Sequence, residues 1–201
     1  MRKITINLAA VAAFCIVVAS PALVSSSCAT PKTEQEDTTI IREDSGITAL
    51  KYSSPEVPAS IEFCGKTIDL SRFDRHERMD RELLAFTYMH STSLQMLKKA
   101  NRYFPIVEPI LKENGIPDDF KYLMVIESNM NPTARSSAGA AGLWQFMQGT
   151  GRDYGLEVNN NVDERYHIEK ATRAACRYLK DAYAKYKDWV AVAASYNAGP
   201  A

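Results

Sequence analysis

The stretch that decides the fold is YLMVIESNMNP, residues 122–132, an apolar run that ends in a single carboxylate. Leu123, Met124 and Glu127 follow Phe120 at helical spacing, so the pattern predicts a helix with the carboxylate on its apolar face. Burial disfavours an ionised carboxylate and raises its pKa, which makes Glu127 a candidate general acid. The alternative at this point is a buried salt bridge or a helix-end contact with a distant arginine.

Helical periodicity dominates the chain from about residue 72. Its first apolar stripe predicts one long helix, and comprises Met79, Leu83, Phe86, His90, Leu94 and Leu97. A second helix is predicted from about Ile106 to the cap signature Asn114-Gly115, and Pro117 begins the helix that carries Glu127. A loop over 128–140 leads to a short helix over about 142–154, and apolar stripes predict two more helices, at 168–186 and 189–196. One short strand is suggested within 60–68. Because helices account for the rest of the folded part, the fold class is predicted to be all-α.

The N-terminal 28 residues are typical of an export signal. Arg2 and Lys3 precede an apolar run of roughly 16 residues, shorter than the about 20 that span a bilayer, although an uncleaved anchor stays the alternative. The sequence Ser25-Ser-Ser-Cys28 is a candidate lipoprotein processing site with Cys28 as the lipidated residue, although an aliphatic residue usually stands in the place of Ser25. We therefore expect an exported protein of the periplasm or cell envelope, with a candidate lipid anchor.

Residues 29–60 are rich in Thr, Glu, Asp, Ser and Pro and predict a flexible linker, which leaves 61–201 as the folded domain. Within that domain an exported compartment permits a disulfide between Cys64 and Cys176, but Cys176 lies in an alanine-rich pattern typical of a buried helix. The net charge is zero, so nucleic-acid binding has no electrostatic footprint. No residue spacing suggests a zinc site, and no cofactor is predicted.

Nine motifs occur in order from residue 115 onward. They are GIPDDFKY (115–122), Glu127-Ser128, Asn131-Pro132, Ser136, Gly139-Ala140, GLWQFM (142–147), YGL (154–156), DER (163–165) and SYNAG (195–199). Together they resemble the catalytic domain of soluble-type lytic transglycosylases, closest to the membrane-bound D-type branch, over about residues 105–201. The resemblance implies a lysozyme-like helical fold that cleaves the β-1,4 bond between N-acetylmuramic acid and N-acetylglucosamine in peptidoglycan, and leaves a 1,6-anhydro product.

The resemblance also implies roles for individual residues. Glu127 would be the catalytic acid and then the base, and the substrate-binding residues would be Ser136, Gly142, Gln145, Met147, Tyr196 and Asn197. Ser136 would contact the acetamido group, with a loop-capping hydroxyl as the alternative. Gln145 would line the cleft, and Tyr196 would orient the acid, with a core tyrosine as the alternative. Gly142 would allow a tight turn beside the sugar, Met147 would build the cleft wall, and Trp144 is more typical of core.

The sequence departs from the family's pattern at two places, and two functions other than lytic transglycosylase stay open. His167-Ile168 replaces an Asp-Pro pair that usually opens the helix after Arg165, and the family's domain usually continues past Gly199, so its C-terminal part is expected to be missing. One rival is a goose-type lysozyme activity, in which water is the nucleophile. The other is a non-catalytic peptidoglycan-binding protein of the envelope. All three have peptidoglycan glycan strands as partner.

Overall fold

The computed structural model describes residues 55–198, without the side chains of Asn197 and Ala198. The strands are β1 (Ser60–Phe63) and β2 (Lys66–Asp69); the helices are α1 (Phe73–Tyr88), α2 (His90–Glu113), α3 (Lys121–Ser128), α4 (Gln148–Asp153), α5 (Ile168–Tyr186) and α6 (Trp189–Ala198), with 3₁₀ turns at Asp118–Phe120 and Glu164–Tyr166. The export signal, Cys28 and the linker up to residue 54 lie outside the described residues. Within 55–198, none of the helices combines the length and the apolar character that crossing a bilayer requires.

This architecture confirms the predicted helical, lysozyme-like class and adds one small hairpin to it. The suggested strand is half of an antiparallel pair in which Ser60 faces Asp69 and Phe63 faces Lys66. The two residues that join the strands, Cys64 and Gly65, have φ values of 50° and 74°. Two successive positive φ values define the type I′ turn, whose twist matches that of a two-stranded hairpin.

The predicted boundary between the first two helices was wrong. The chain breaks at Met89 instead of near Ile106, and α2 then runs straight through Pro105 and Pro109. Both prolines lie on the exposed side of α2, where the carbonyl groups that lose their intrahelical partners face water. Across the break, the Ser93 hydroxyl donates a hydrogen bond to the Phe86 carbonyl. The stripe therefore divides between two helices.

The main core lies between α2, α3, α5 and α6. Helix α5 packs against α2 on one side and α6 on the other. Fully buried members of this core include Phe104, Leu111, Leu123, Leu179 and Val192. By contrast, Leu94 and Leu97 at the start of α2 are 60% and 37% exposed, so the predicted stripe extends beyond the core that the structure forms.

The segment 141–146 is a tight turn, which corrects the predicted helix over 142–154. Ala141 and Phe146 exchange two backbone hydrogen bonds, of 3.0 and 3.2 Å, and close the turn. Gly142 and Gln145 inside it have φ values of 79° and 48°, in the left-handed region that a helix cannot use. The helix begins only at Gln148 and ends at Asp153.

Candidate active site

Glu127 lies in the last turn of α3, and the local sequence ends the helix directly after it. Asn129 (φ 49°) and Met130 (φ 52°) both adopt the left-handed conformation. The Met130 N–H donates to the Met124 carbonyl at 3.1 Å, the long-range bond of a Schellman cap. Because Leu123, Met124 and Met130 are fully buried, the end of the helix is anchored in the core. Glu127 is therefore held on a rigid element at the edge of the core.

Glu127 is half-buried, and one oxygen of its carboxyl is fully buried. Its Oε1 has no hydrogen-bond partner among the described residues. Burial raises the pKa of Glu127 above its ordinary value, and no neighbouring charge contributes to the shift. The salt bridges within residues 55–198 do not include Glu127, and its role as a general acid stays a prediction.

The structure brings Tyr196 of α6 close to the acid. Burial and the charge of Glu127 both raise the pKa of Tyr196 well above its ordinary value. The Tyr196 hydroxyl donates its proton to the Trp144 carbonyl at 2.8 Å. The phenol oxygen therefore faces its surroundings as a hydrogen-bond acceptor.

Ser128, which follows the acid, joins α3 to the 141–146 turn. Its hydroxyl lies 3.0 Å from the Met124 carbonyl and 3.0 Å from the Leu143 carbonyl. The first of these contacts stays within the helix, whereas the second crosses to the turn. Sequence reasoning treated Ser128 as part of a motif and missed this link, because a serine near a helix end predicts only the local bond.

Trp144 belongs to the core, as predicted. Its side chain is fully buried, and its indole N–H donates to the Thr172 hydroxyl at 3.0 Å. The Gln145 side-chain amide donates to the carbonyls of Gly142 (2.8 Å) and Ala134 (3.3 Å). The nitrogen of Gln145 thus supports the turn itself, which leaves its carbonyl oxygen for other partners.

Gly142 is required by its neighbour in the fold. A Cβ at this position would lie 2.8 Å from the carbonyl carbon of Arg165 and closer still to its oxygen. Together with the positive φ, this close approach excludes any larger residue. The contact explains the glycine through packing and does not bear on a sugar.

Ser136 and Met147 lie at the surface of this region. The Ser136 hydroxyl accepts a hydrogen bond from the Ala140 N–H at 3.0 Å, which is the loop-capping role, and it keeps its own proton to donate. Met147 is 45% exposed and directly precedes α4. The side chain of Asn197 lies outside the described part of the chain. Substrate contacts by these three residues stay predictions.

Sequence reasoning did not single out Arg165, which is buried beside the 141–146 turn. Its side chain is 2% exposed and forms a double contact with the Asp163 carboxylate, through Nη2 at 2.7 Å and Nε at 2.9 Å. These hydrogen bonds hold the pKa of Asp163 below its ordinary value. The only signal in the sequence was the motif DER at 163–165, whose partners in space the sequence does not reveal.

Neither cysteine of the described residues forms a disulfide. Cys176 is fully buried in α5, as its alanine-rich surroundings predicted, and burial raises the pKa of its thiol to about 11. His167 caps the start of α5, where its ring nitrogen lies 3.5 Å from the Lys170 N–H. The replacement of the family's Asp-Pro pair by His167-Ile168 therefore affects the start of a helix, as predicted.

Comparison with known proteins places this site in a family. Residues 105–201 match the model of the Transglycosylase SLT domain. The chain is 32% identical over 124 residues to the membrane-bound lytic murein transglycosylase D of Escherichia coli K12, and to its counterpart in E. coli O6:H1 strain CFT073. It is also 23% identical over 113 residues to a putative tributyltin chloride resistance protein of Alteromonas sp. strain M-1, covering 56% of this chain and 55% of that relative.

The E. coli alignments cover 61% of this chain and 26% of each relative, so the chain spans about a quarter of their length. The family match begins inside α2 and includes Glu127, the 141–146 turn and Tyr196. The motifs and the helical architecture agree with this match. Residues 105–201 of this chain therefore belong to the transglycosylase SLT domain family.

Proposed function

We propose that the protein is a peptidoglycan lytic transglycosylase. It would cleave the β-1,4 bond between N-acetylmuramic acid and N-acetylglucosamine and leave a 1,6-anhydromuramoyl end. The observation that carries this proposal is the Oε1 atom of Glu127, which is buried and has no hydrogen-bond partner within residues 55–198. A carboxyl with a raised pKa stays protonated closer to neutral pH, as a proton donor to a glycosidic oxygen must.

One carboxyl group is sufficient for this reaction. Glu127 first donates its proton to the glycosidic oxygen and becomes a carboxylate, while the bond between that oxygen and the anomeric carbon breaks and the N-acetylglucosamine residue leaves with a free 4-hydroxyl. The same carboxylate then removes a proton from the 6-hydroxyl of the muramoyl residue, whose oxygen attacks the anomeric carbon and closes the anhydro ring. Because the nucleophile belongs to the substrate itself, its effective concentration is high.

The surroundings of Glu127 support single-carboxylate chemistry. Ordinary glycosidases use two carboxyl groups on either side of the bond. A second carboxylate nearby would raise the pKa of Glu127 by repulsion, but burial alone accounts for the shift. The sequence 128–151 contains no Asp or Glu, and Asp163 is occupied by Arg165. In this proposal the substrate's acetamido oxygen stabilises the positive charge that develops on the sugar.

Other residues of the site have proposed substrate roles. The acceptor oxygen of Tyr196 suits a hydrogen bond from the protonated acid or from the acetamido N–H. Ser136 would donate to the acetamido group, and the carbonyl oxygen of Gln145 would accept from a sugar hydroxyl. Gly142 and Met147 would shape the cleft beside them, and Asn197 would contact substrate or support the site. We further propose that the protein acts in the cell envelope after export, with Cys28 as a candidate lipid attachment site.

The mass of the released product tests the proposal. Digestion of purified peptidoglycan should release muropeptides with anhydro ends, because the 6-hydroxyl takes the place of water. A goose-type lysozyme would release products heavier by one water molecule. Mass spectrometry of the digest separates the two reactions, and hydrolysed ends alone would exclude the transglycosylase.

The pH dependence provides a separate prediction. We expect kcat/KM to fall as the pH rises through the raised pKa of Glu127, because the acid loses the proton that it must donate. The fall should come at a higher pH than the titration of an exposed glutamate. Measuring the turnover of soluble peptidoglycan fragments from acidic to alkaline pH gives the pH at which kcat/KM falls. A fall centred at the ordinary glutamate value would contradict a buried acid.

A further inference from the structure

A buried ion pair supports the loop beside the acid from one side. The Arg165 Nη1 donates to the Gly139 carbonyl at 2.8 Å and to the Phe146 carbonyl at 2.9 Å. The same guanidinium is held on its other edge by both oxygens of Asp163. Since Gly139 and Phe146 are the two ends of one loop, a single side chain fixes the 139–146 loop at both ends.

The backbone of Arg165 supports the middle of the same loop. Gly142 lies so close to the Arg165 carbonyl that even a Cβ has no room. The aliphatic part of the Arg165 side chain also lies 3.3 Å from the position of a Cβ on Gly151, which follows in α4. Arg165 therefore contacts the loop at Gly139, Gly142 and Phe146.

The 139–146 loop is also hydrogen-bonded to two residues close to the acid, Ser128 and Tyr196. The Leu143 carbonyl accepts from Ser128, the residue next to Glu127. The Trp144 carbonyl accepts a hydrogen bond from Tyr196, whose pKa is raised by burial and by the charge of Glu127. Two adjacent carbonyl groups therefore connect the loop to Ser128, which follows Glu127 in the chain, and to Tyr196, which interacts with Glu127.

We propose that Asp163 and Arg165 are positioning residues for the acid, which act by holding the Leu143 and Trp144 carbonyls in place. This inference rests on the proposed function and deepens it. Neither residue needs to touch the substrate. Asp163 contributes by neutralising and orienting a guanidinium that is otherwise expensive to bury.

The role predicts a particular kinetic change. Displacing a supporting loop by about 1 Å can reduce the rate of a chemical step by up to about 100-fold. Because the loop positions the acid and also carries Gln145, kcat should fall by a larger factor than KM rises. Water admitted beside Glu127 should also return its pKa towards the ordinary value, since burial is what raises it.

The test compares Asp163→Asn and Arg165→Lys with Lys170→Met. Asparagine keeps the shape of Asp163 but removes the charge, and lysine cannot reach both loop carbonyls and Asp163 at once. Lys170 is exposed and pairs with Glu164 in the adjacent 3₁₀ turn, and its side-chain hydrogen bond within residues 55–198 is to Glu164 and not to the loop, so it is the matched control. Circular dichroism and thermal unfolding confirm that each variant is folded at the assay temperature.

Two measurements are made on each protein. One is kcat and KM on soluble peptidoglycan fragments, and the other is the titration of the Glu127 side-chain carboxyl by ¹³C NMR, assigned with Glu127→Gln. We expect Asp163→Asn to lower kcat and the Glu127 pKa, and Lys170→Met to match the wild type. A folded Asp163→Asn protein with the wild-type Glu127 titration would overturn the inference.

The NMR titration needs no turnover, so it separates this inference from the proposed function. If the wild-type protein cleaved no peptidoglycan, the proposed function would fail, while the titrations would still show whether Asp163 and Arg165 control Glu127. If Arg165→Lys did not fold, Asp163→Asn would still decide.

Discussion

Replacing Glu127 with glutamine is expected to lower the turnover of peptidoglycan by about 10²–10⁴-fold or more, because the amide has no acidic proton to donate. The fold should be preserved, since the two side chains have nearly the same shape. Glycan binding should also remain, because the substitution removes only the proton donor. Muropeptide release by the two proteins, measured at equal concentration, gives the ratio.

The same substitution has a second expected effect, on stability. Since the pKa of Glu127 is raised in the folded state, the native state loses stability as the pH rises through that value. The glutamine variant cannot ionise and should lack this loss. Glu62→Gln, at an exposed position of β1, is the matched control and should leave activity unchanged. Equal release of muropeptides by wild-type and Glu127→Gln proteins would instead support a non-catalytic envelope protein.

Replacing Gly142 with alanine is expected to reduce the free energy of unfolding by at least about 3 kcal/mol. Two costs add at this position. The backbone has a φ of +79°, which is unfavourable for alanine, and the new methyl group would overlap the Arg165 carbonyl. Because the overlap is with backbone, a change of rotamer cannot relieve it. Urea denaturation followed by circular dichroism measures the loss.

Gly115→Ala separates these two costs. Gly115 has a φ of +66°, but no atom lies within 4 Å of the position of its Cβ. Its substitution should therefore cost only the conformational part, about 1–2 kcal/mol. Equal losses for the two variants would show that the 141–146 turn moves away from Arg165 without resistance.

The sequence predicted the parts of this fold that depend on local patterns. The apolar face of α3 follows from helical spacing, which places Glu127 on that face before the loop that was predicted over 128–140. The same kind of pattern identified α5 and α6, whereas the buried state of Trp144 was expected from the size of its aromatic side chain. These predictions succeed because each one needs only residues within a few helical turns.

The parts that failed depend on residues distant in sequence. GLWQ contains good helix formers, yet it forms a turn because Gly142 must fit against Arg165, 23 positions later. The link from Ser128 to Leu143 and the position of Tyr196 beside Glu127 likewise join separate elements. The break at Met89 was missed because the apolar spacing continues across it, so the pattern alone could not reveal it.

The attachment of the small hairpin has a practical consequence for recombinant work. Phe63 of β1 packs on Phe120 with ring centroids 6.2 Å apart, the Cys64 N–H donates to Asp119, and Lys66 pairs with Asp188. An expression fragment cut at the family boundary, residue 105, would split α2 and uncover the aromatic surface at Phe120. Such a fragment should be prone to aggregation, whereas one that begins near residue 55 keeps this surface covered.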